Sequence, residues 1–329
     1  MIDLSKIKGQ KRALGILTGI LNSERVPHAM IFSGPDGVGK RMTAKLFASA
    51  LVCKDDKIVP CQKCESCRKI ENDTFPDVIS VGIPEGRAKI LIDQVRELGE
   101  ILAYRPFLSD VRTIIIDPAD EMTKSASAAI LKMLEEPPSG AHFILITSKA
   151  SKLEPTIISR CQKVRFSPLS SDIISEIMGG GKDVEGVSEL CRGSVALAKA
   201  FLTDGFLAVR KKLIGILSLM NINDPTHIEL LLQEISKLKV EIFDILDILR
   251  SWYRDLIVYR ETGDEKNIIN RDLLKEFGGA WSETRSESLI SCSEELDNVD
   301  KDFSDVSGLN MRIALTSLFL KLTELKYNI

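Results

Sequence analysis

Residues 29–52 read AMIFSGPDGVGKRMTAKLFASALV, and the fold is decided there. The apolar run Ala29–Ser33 predicts a buried strand, and the amphipathic stretch 41–52 predicts a helix opening near Lys40. Between them, Gly34 to Lys40 match G-x-x-x-x-G-K, with glycines at 34, 37 and 39. A strand, a glycine-rich turn and a helix N-terminus make a phosphate-binding loop. Backbone N–H groups converge on phosphate oxygens, the helix end adds partial positive charge, and Lys40 supplies a cation.

Outward from this loop, DVISVG (77–82), TIIID (113–117), FILIT (143–147) and KVRF (163–166) read as further strands. Most are nearly continuous apolar runs, as in a parallel sheet covered on both faces. Amphipathic stretches at 90–105 and 125–136 alternate with them, which predicts an α/β layer fold. After Phe166 the strand pattern stops. Ser167-Pro168 is read as opening a helical segment that runs to about Leu202, broken by Gly179-Gly180-Gly181. From about Asp204 onward the pattern is helical, as in 227–238, 240–260 and 314–325. The expected division is therefore an α/β domain over 1–166, a small helical domain over 167–206 and an all-α domain over 207–329.

Composition narrows the class. Among 329 residues, 44 Lys plus Arg stand against 47 Asp plus Glu, a net charge of −3, so no general basic coat for nucleic acid is present. No apolar run is long enough to span a bilayer, and the N-terminus carries no apolar signal core; a cytoplasmic protein without a membrane partner is expected. Seven cysteines, an odd number, argue against a disulfide framework.

The phosphate loop departs from its pattern. The residue after its Lys should be Ser or Thr, whose hydroxyl ligates Mg²⁺; here it is Arg41, which cannot ligate a metal. Thr43 lies on a different face of the helix. At the end of the third strand Asp117 fits a Mg²⁺-holding carboxylate, but Pro118 follows where a catalytic Glu is needed. Asp120 and Glu121 are read as capping the next helix. The loop is thus expected to serve as scaffold or as a weak phosphate binder, with no ATPase activity of its own.

Several segments together resemble the bacterial DNA polymerase III clamp loader, an AAA+ family. They are Gly9-Gln10, PHAMIFSGPDGVGKR (27–41), the four-cysteine insert (53–67), IDQVREL (92–98), IIIDPADEM (114–122), AAILKMLEEPP (128–138), FILITSKASKLEPTIISRCQKVRF (143–166) and GSVALAKAF (193–201). The resemblance implies an AAA+ phosphate-loop domain with a five-stranded parallel sheet, a helical lid and a C-terminal helical collar for oligomerisation. Hydrolysing gamma/tau members carry Lys-Ser or Lys-Thr, Asp-Glu and a lid-helix Arg. Here that Arg position is Ala196, a third missing part. A degenerate site with Ser159-Arg160-Cys161 kept is similar to the delta-prime branch. In the family this Arg is a finger that reaches a neighbour's ATP, which implies that Arg160 acts in trans; a surface salt bridge is its plainer alternative. Thr147 and Ser148, where the family places a γ-phosphate sensor, are read as strand-end hydrogen-bonding residues. The implied partners are gamma/tau and delta subunits, the sliding clamp, and primer-template DNA met through the assembly. An active ATPase of the same family and a zinc-bearing DNA-binding regulator are the competing readings.

Cys53, Cys61, Cys64 and Cys67 offer four soft ligands with two-residue spacers. The spacing suits a closed tetrahedral Zn²⁺ site and also iron–sulfur ligation; the family resemblance implies structural zinc. Lys54, Lys57, Lys63, Arg68 and Lys69 surround the cluster. Trp252 and Tyr253 are expected in a core or interface, and Glu135-Glu136-Pro137-Pro138 as a helix end.

Overall fold

The computed structural model describes residues 2–23, 25–55, 57–181, 184, 187–188, 190–203, 206–219, 226–236, 242–270, 273–274, 284–305 and 310–327. These fall into two compact units: 1–177 with 192–196, and 178–191 with 197–329.

The first unit is the expected α/β layer. Its elements are α1 (Lys11–Asn22), β1 (Ala29–Ser33), α2 (Lys40–Val52), α3 (Glu65–Glu71), β2 (Val78–Val81), α4 (Ile92–Leu102) and β3 (Arg112–Ile116). Then come α5 (Lys124–Glu135), β4 (Ala141–Thr147), α6 (Pro155–Ser159), β5 (Gln162–Arg165) and α7 (Ser171–Met178), which ends one residue into the second unit. The five strands are all parallel, in the order β2-β3-β4-β1-β5. β1 is central, with Ala29 opposite Phe143 of β4 and Met30 opposite Gln162 of β5. Because strand side chains alternate, its residues serve two cores. Ala29 and Ile31 join Ile114, Phe143, Leu145, Ile130 and Ile157 on one face, while Met30 and Phe32 join Leu17, Phe47, Ile144 and Val164 on the other.

Two expectations are corrected. Residues 167–170 are not helical, and α7 opens at Ser171. The N–H of Ser167 donates to Gln10 Oε1 at 3.0 Å and that of Leu169 to Gly193 O at 3.1 Å, so these donors serve tertiary contacts. Asp120 and Glu121 do not cap the next helix. They lie in a 3₁₀ turn, and α5 is capped by Thr123, whose Oγ1 accepts from Ala126 N–H at 3.2 Å.

The second unit is helical: α8 (Val195–Thr203, beginning in the first unit), α9 (Phe206–Leu219), α10 (Thr226–Ser236), α11 (Ile242–Thr262), α12 (Ser286–Asp305) and α13 (Met311–Tyr327). Trp252 and Tyr253 are fully buried, as are Cys292, Leu318 and Phe319. A buried polar chain runs from Arg210 through Asn270 (Nη2 to Oδ1, 2.7 Å) to Asp255 (2.6 Å from Asn270 Nδ2). Among the described residues, no helix is long and apolar enough to cross a membrane.

Candidate functional site

The phosphate loop sits at the C-terminal end of β1, the edge where parallel sheets present ligand-binding loops. Its interior is already satisfied by the protein. Lys40 is buried, and its Nζ donates to Gly34 O and Pro35 O, both at 2.6 Å, and lies 3.4 Å from Asp36 Oδ1. Thr43 is fully buried, and its hydroxyl donates back along its own helix to Gly39 O at 2.8 Å. Gly37 has φ +73, and a Cβ there would stand 2.1 Å from Ser194 Oγ and 2.8 Å from Ala196 N. Glycine is required by this close approach: residues 194–196 lie directly on the loop, and Val195 N–H donates to Gly37 O at 3.0 Å.

Where a Mg²⁺ ion would meet the acidic strand end, the structure brings Arg41 to Asp117. Nη1 lies 3.6 Å from Oδ2, tying α2 to the end of β3. Burial raises the Asp117 pKa above its ordinary value, and the nearby Arg41 and Lys40 charges oppose that rise. Pro118 opens the 3₁₀ turn and supplies no base. At the end of β4, Thr147 Oγ1 accepts from Lys149 N–H at 3.0 Å and Thr147 O accepts from Gly34 N–H at 3.2 Å. This pair closes the strand end against the loop.

Arg160 follows the last residue of α6 and is partly exposed. Its Nη2 lies 2.8 Å from Glu135 Oε1, and its Nη1 donates to Thr156 O at 3.0 Å and Ser159 Oγ at 3.3 Å. Cys161 packs against the β-sheet core, and burial pushes its thiol up to about 12.

The four insert cysteines converge. Cys53 follows α2, Cys64 precedes α3 and Cys67 is buried within it; all four sulfurs lie within 4.8 Å of one another. Tetrahedral ligation with zinc–sulfur bonds of about 2.3 Å separates sulfurs by roughly 3.8 Å, so the donor set fits such a metal with small adjustment. The backbone already orients the sulfurs: Cys61 N–H points to Cys53 Sγ and Cys64 N–H to Cys61 Sγ, each at 3.3 Å. Hydrogen bonds from the Lys63 and Cys64 N–H groups bring the Cys61 thiol down to about 7, while burial pushes Cys53 and Cys67 up. The insert is fastened to the domain. Asp3 N–H donates to Val59 O at 2.8 Å, and Lys6 pairs with Glu71 at 2.7 Å. Of the surrounding cations, Lys69 is held by Glu65 at 2.6 Å.

Three arrangements were not read from the sequence. Asp77, fully buried, accepts from the N–H groups of Phe107, Leu108 and Ser109 and pairs with Arg112 at 3.3 Å. Gln10 bridges Ser167 O at 2.7 Å and Val38 O at 3.4 Å. Glu135 faces Arg160. The Arg41–Asp117 pair had a signal, since both positions stood out separately. Asp77 and Glu135 had none beyond their charge, because their partners lie on other elements.

A family model described as DNA polymerase III, delta subunit, matches residues 9–170, and one described as DNA polymerase III, delta subunit, C terminal, matches residues 205–324. The chain belongs to the DNA polymerase III clamp-loader family. Among its relatives, the delta′ subunit of Bacillus subtilis is 35% identical over 167 residues, covering 51% of this clamp-loader chain and 50% of that one. The tau subunit of the same organism is 34% identical over 180 residues, 54% of this chain and 31% of its own. The clamp-loader chain thus spans half or less of the length of these curated relatives. A solved gamma subunit-related protein from Thermotoga maritima is 19% identical, with 94% of this chain and 99% of that one covered and a TM-score of 0.48.

Proposed function

We propose that this clamp-loader chain is a delta-prime-type subunit that hydrolyses no ATP itself and lends Arg160 to the ATP site of a neighbouring gamma/tau-type subunit. The observation that carries the reading is the Arg41–Asp117 ion pair. The charge facing the acidic strand end is the protein's own guanidinium, and the next residue, Pro118, has no base to orient water. Lys40, bound to its own loop, and residues 194–196, lying on Gly37, support the same conclusion.

Arg160 needs no competent site in its own chain. A guanidinium presents a planar fork of donors that suits a γ-phosphate as charge builds on it, and such a finger accelerates phosphoryl transfer by about 10³–10⁵-fold. In this reading residues 1–166, 167–206 and 207–329 act as AAA+ domain, lid and collar. The collar carries most of the binding to gamma/tau and delta subunits. The assembly, working in the cytoplasm, opens the sliding clamp and seats it on primer-template DNA. The cysteine cluster takes one structural Zn²⁺ through Cys53, Cys61, Cys64 and Cys67; with four protein ligands it leaves no open position for water.

The test is reconstitution with gamma/tau and delta subunits, measuring DNA-stimulated ATPase. The isolated chain is expected to turn over no ATP, and Arg160→Ala to lower the assembled rate by at least about 10²-fold without preventing assembly. Brisk hydrolysis by the isolated chain, or an unchanged rate with Arg160→Ala, overturns the proposal.

A further inference from the structure

We propose that Glu135 is the positioning residue for Arg160: its carboxylate holds the guanidinium in the orientation from which it meets a neighbour's γ-phosphate. The inference rests on the reading of Arg160 as a finger acting in trans, and it names what keeps that finger extended and aimed.

The guanidinium is gripped from two sides. Nη2 meets Glu135 Oε1 at 2.8 Å, while Nη1 reaches back to Thr156 O and Ser159 Oγ at the end of its own helix. Nε–H donates to no acceptor among the described residues, which leaves part of the donor fork for an incoming anion. Both anchors are rigid. Glu135 is the last residue of α5, one position after buried Leu134, and Pro137-Pro138 stop the chain from continuing the helix. Pro155 occupies the first turn of α6. Ile130 and Leu134 of α5 share one core with Ile157 of α6, so the carboxylate and the arginine are registered by packing.

Local physics argues against Glu135 being there for the helix. A carboxylate at a helix C-terminus faces the negative end of the helix dipole, where a cation is favoured. Nor is the pair a stability device: both side chains are roughly 40% exposed (38% and 43%), and ion pairs so exposed contribute little. What the pair does restrict is rotamer freedom. An arginine is among the side chains that lose most entropy when fixed. Restricting it beforehand removes part of that loss from the phosphoryl-transfer step, and the modest strength of so exposed a pair bounds the gain at about fivefold in rate.

The experiment uses the reconstituted clamp loader and reads DNA-stimulated ATPase against ATP concentration for native chain, Glu135→Ala, Glu135→Gln, Arg160→Ala and the double Glu135→Ala/Arg160→Ala. Glu135→Ala is expected to lower kcat about three- to fivefold, with KM for ATP changed by less than about twofold and with unaltered assembly on size exclusion. Glu135→Gln keeps the acceptor oxygen and is expected to stay within about twofold of native. In the Arg160→Ala background, Glu135→Ala is expected to have no further effect, because it acts through the arginine. If Arg160→Ala lowers the rate while Glu135→Ala leaves or raises it, positioning is overturned and the finger stands. An equal loss from Glu135→Ala in the Arg160→Ala background also overturns positioning. An unchanged rate in Arg160→Ala overturns the finger itself, and with it this inference.

Discussion

Replacing Asp77 by Ala tests whether one buried carboxylate organises the edge of the sheet. Asp77 is 0% exposed and accepts from Phe107 N–H (2.7 Å), Leu108 N–H (2.6 Å), Ser109 N–H (3.1 Å) and Ser109 Oγ (3.1 Å). Its partner Arg112 is also buried, with further bonds to the carbonyls of Ile101, Tyr104 and Arg105. Breaking a buried pair by removing one partner costs about 3–5 kcal/mol. The three carbonyls still satisfy much of the guanidinium, which places Asp77→Ala near the lower bound, about 3 kcal/mol. That corresponds to about a 100-fold loss of hydrogen-exchange protection at residues 107–109, if opening there is set by this anchor. Exchange resolved by mass spectrometry over 104–112 reads it directly. Exchange over α11, which belongs to the second unit, serves as an internal control and should not respond. The Asp77 carboxyl is held below its ordinary 3.8: burial opposes the charge, and the Phe107 and Leu108 N–H bonds outweigh it with help from Ser109 and Arg112. A carboxyl with a lowered folded pKa contributes stability that is present above its unfolded pKa and lost as pH falls through the folded one. The advantage of native chain over Asp77→Asn should therefore shrink below about pH 4. Unchanged protection at 107–109 in Asp77→Ala would refute the reasoning, since the loop would then be held by something other than this carboxylate.

Arg41→Thr removes the guanidinium from Asp117 and restores a hydroxyl next to Lys40. Isothermal titration should show at most a gain in Mg²⁺-dependent ATP binding, and turnover by the isolated variant should stay absent because Pro118 still provides no base. Lys40→Ala should act on stability, destabilising the first unit by about 1–3 kcal/mol in denaturant melts as Gly34 O and Pro35 O lose their buried donor, with no change in the assembled ATPase rate. Cys64→Ser, or stripping with a chelator, should take zinc from one per chain to none by elemental analysis. It should destabilise the first unit by several kcal/mol, less than the about 10–16 kcal/mol of isolated zinc peptides. The damping is expected because Val52, Ile70 and Phe75 pack on one another beside the insert without the metal.

What the sequence reveals depends on how local the cause is. β1, the glycine loop and α2 follow from adjacent residues, and the apolar runs at 113–117 and 143–147 place β3 and β4 within two residues of their observed ends. The cysteine spacing likewise foretells convergence, because two-residue spacers confine neighbouring sulfurs. Tertiary hydrogen bonds are less visible. Ser167-Pro168 carries a helix-opening pattern, yet its N–H is taken by Gln10, 157 residues away, and the helix starts later. Asp120 and Glu121 have capping chemistry, but the 3₁₀ turn after Pro118 moves the cap to Thr123. Asp77 and Arg112 are 35 residues apart, and no periodicity links them.

In the proposed reading, the same distinction explains how a phosphate-loop fold persists without hydrolysis. Catalysis depends on a few groups whose removal leaves packing intact: the sequence has no hydroxyl at position 41, no carboxylate at 118 and no arginine at 196, while the register of the sheet is unbroken. The remaining loop residues have structural work of their own. Lys40 satisfies two carbonyls, Gly37 permits residues 194–196 to approach, and Arg41 ties α2 to β3. Substituting any of these disturbs the domain, whereas restoring a catalytic group gains nothing unless the others return together. The fold is then held in place by packing, and in the proposed reading Arg160, exposed beside Glu135, is the group that acts on chemistry outside the chain.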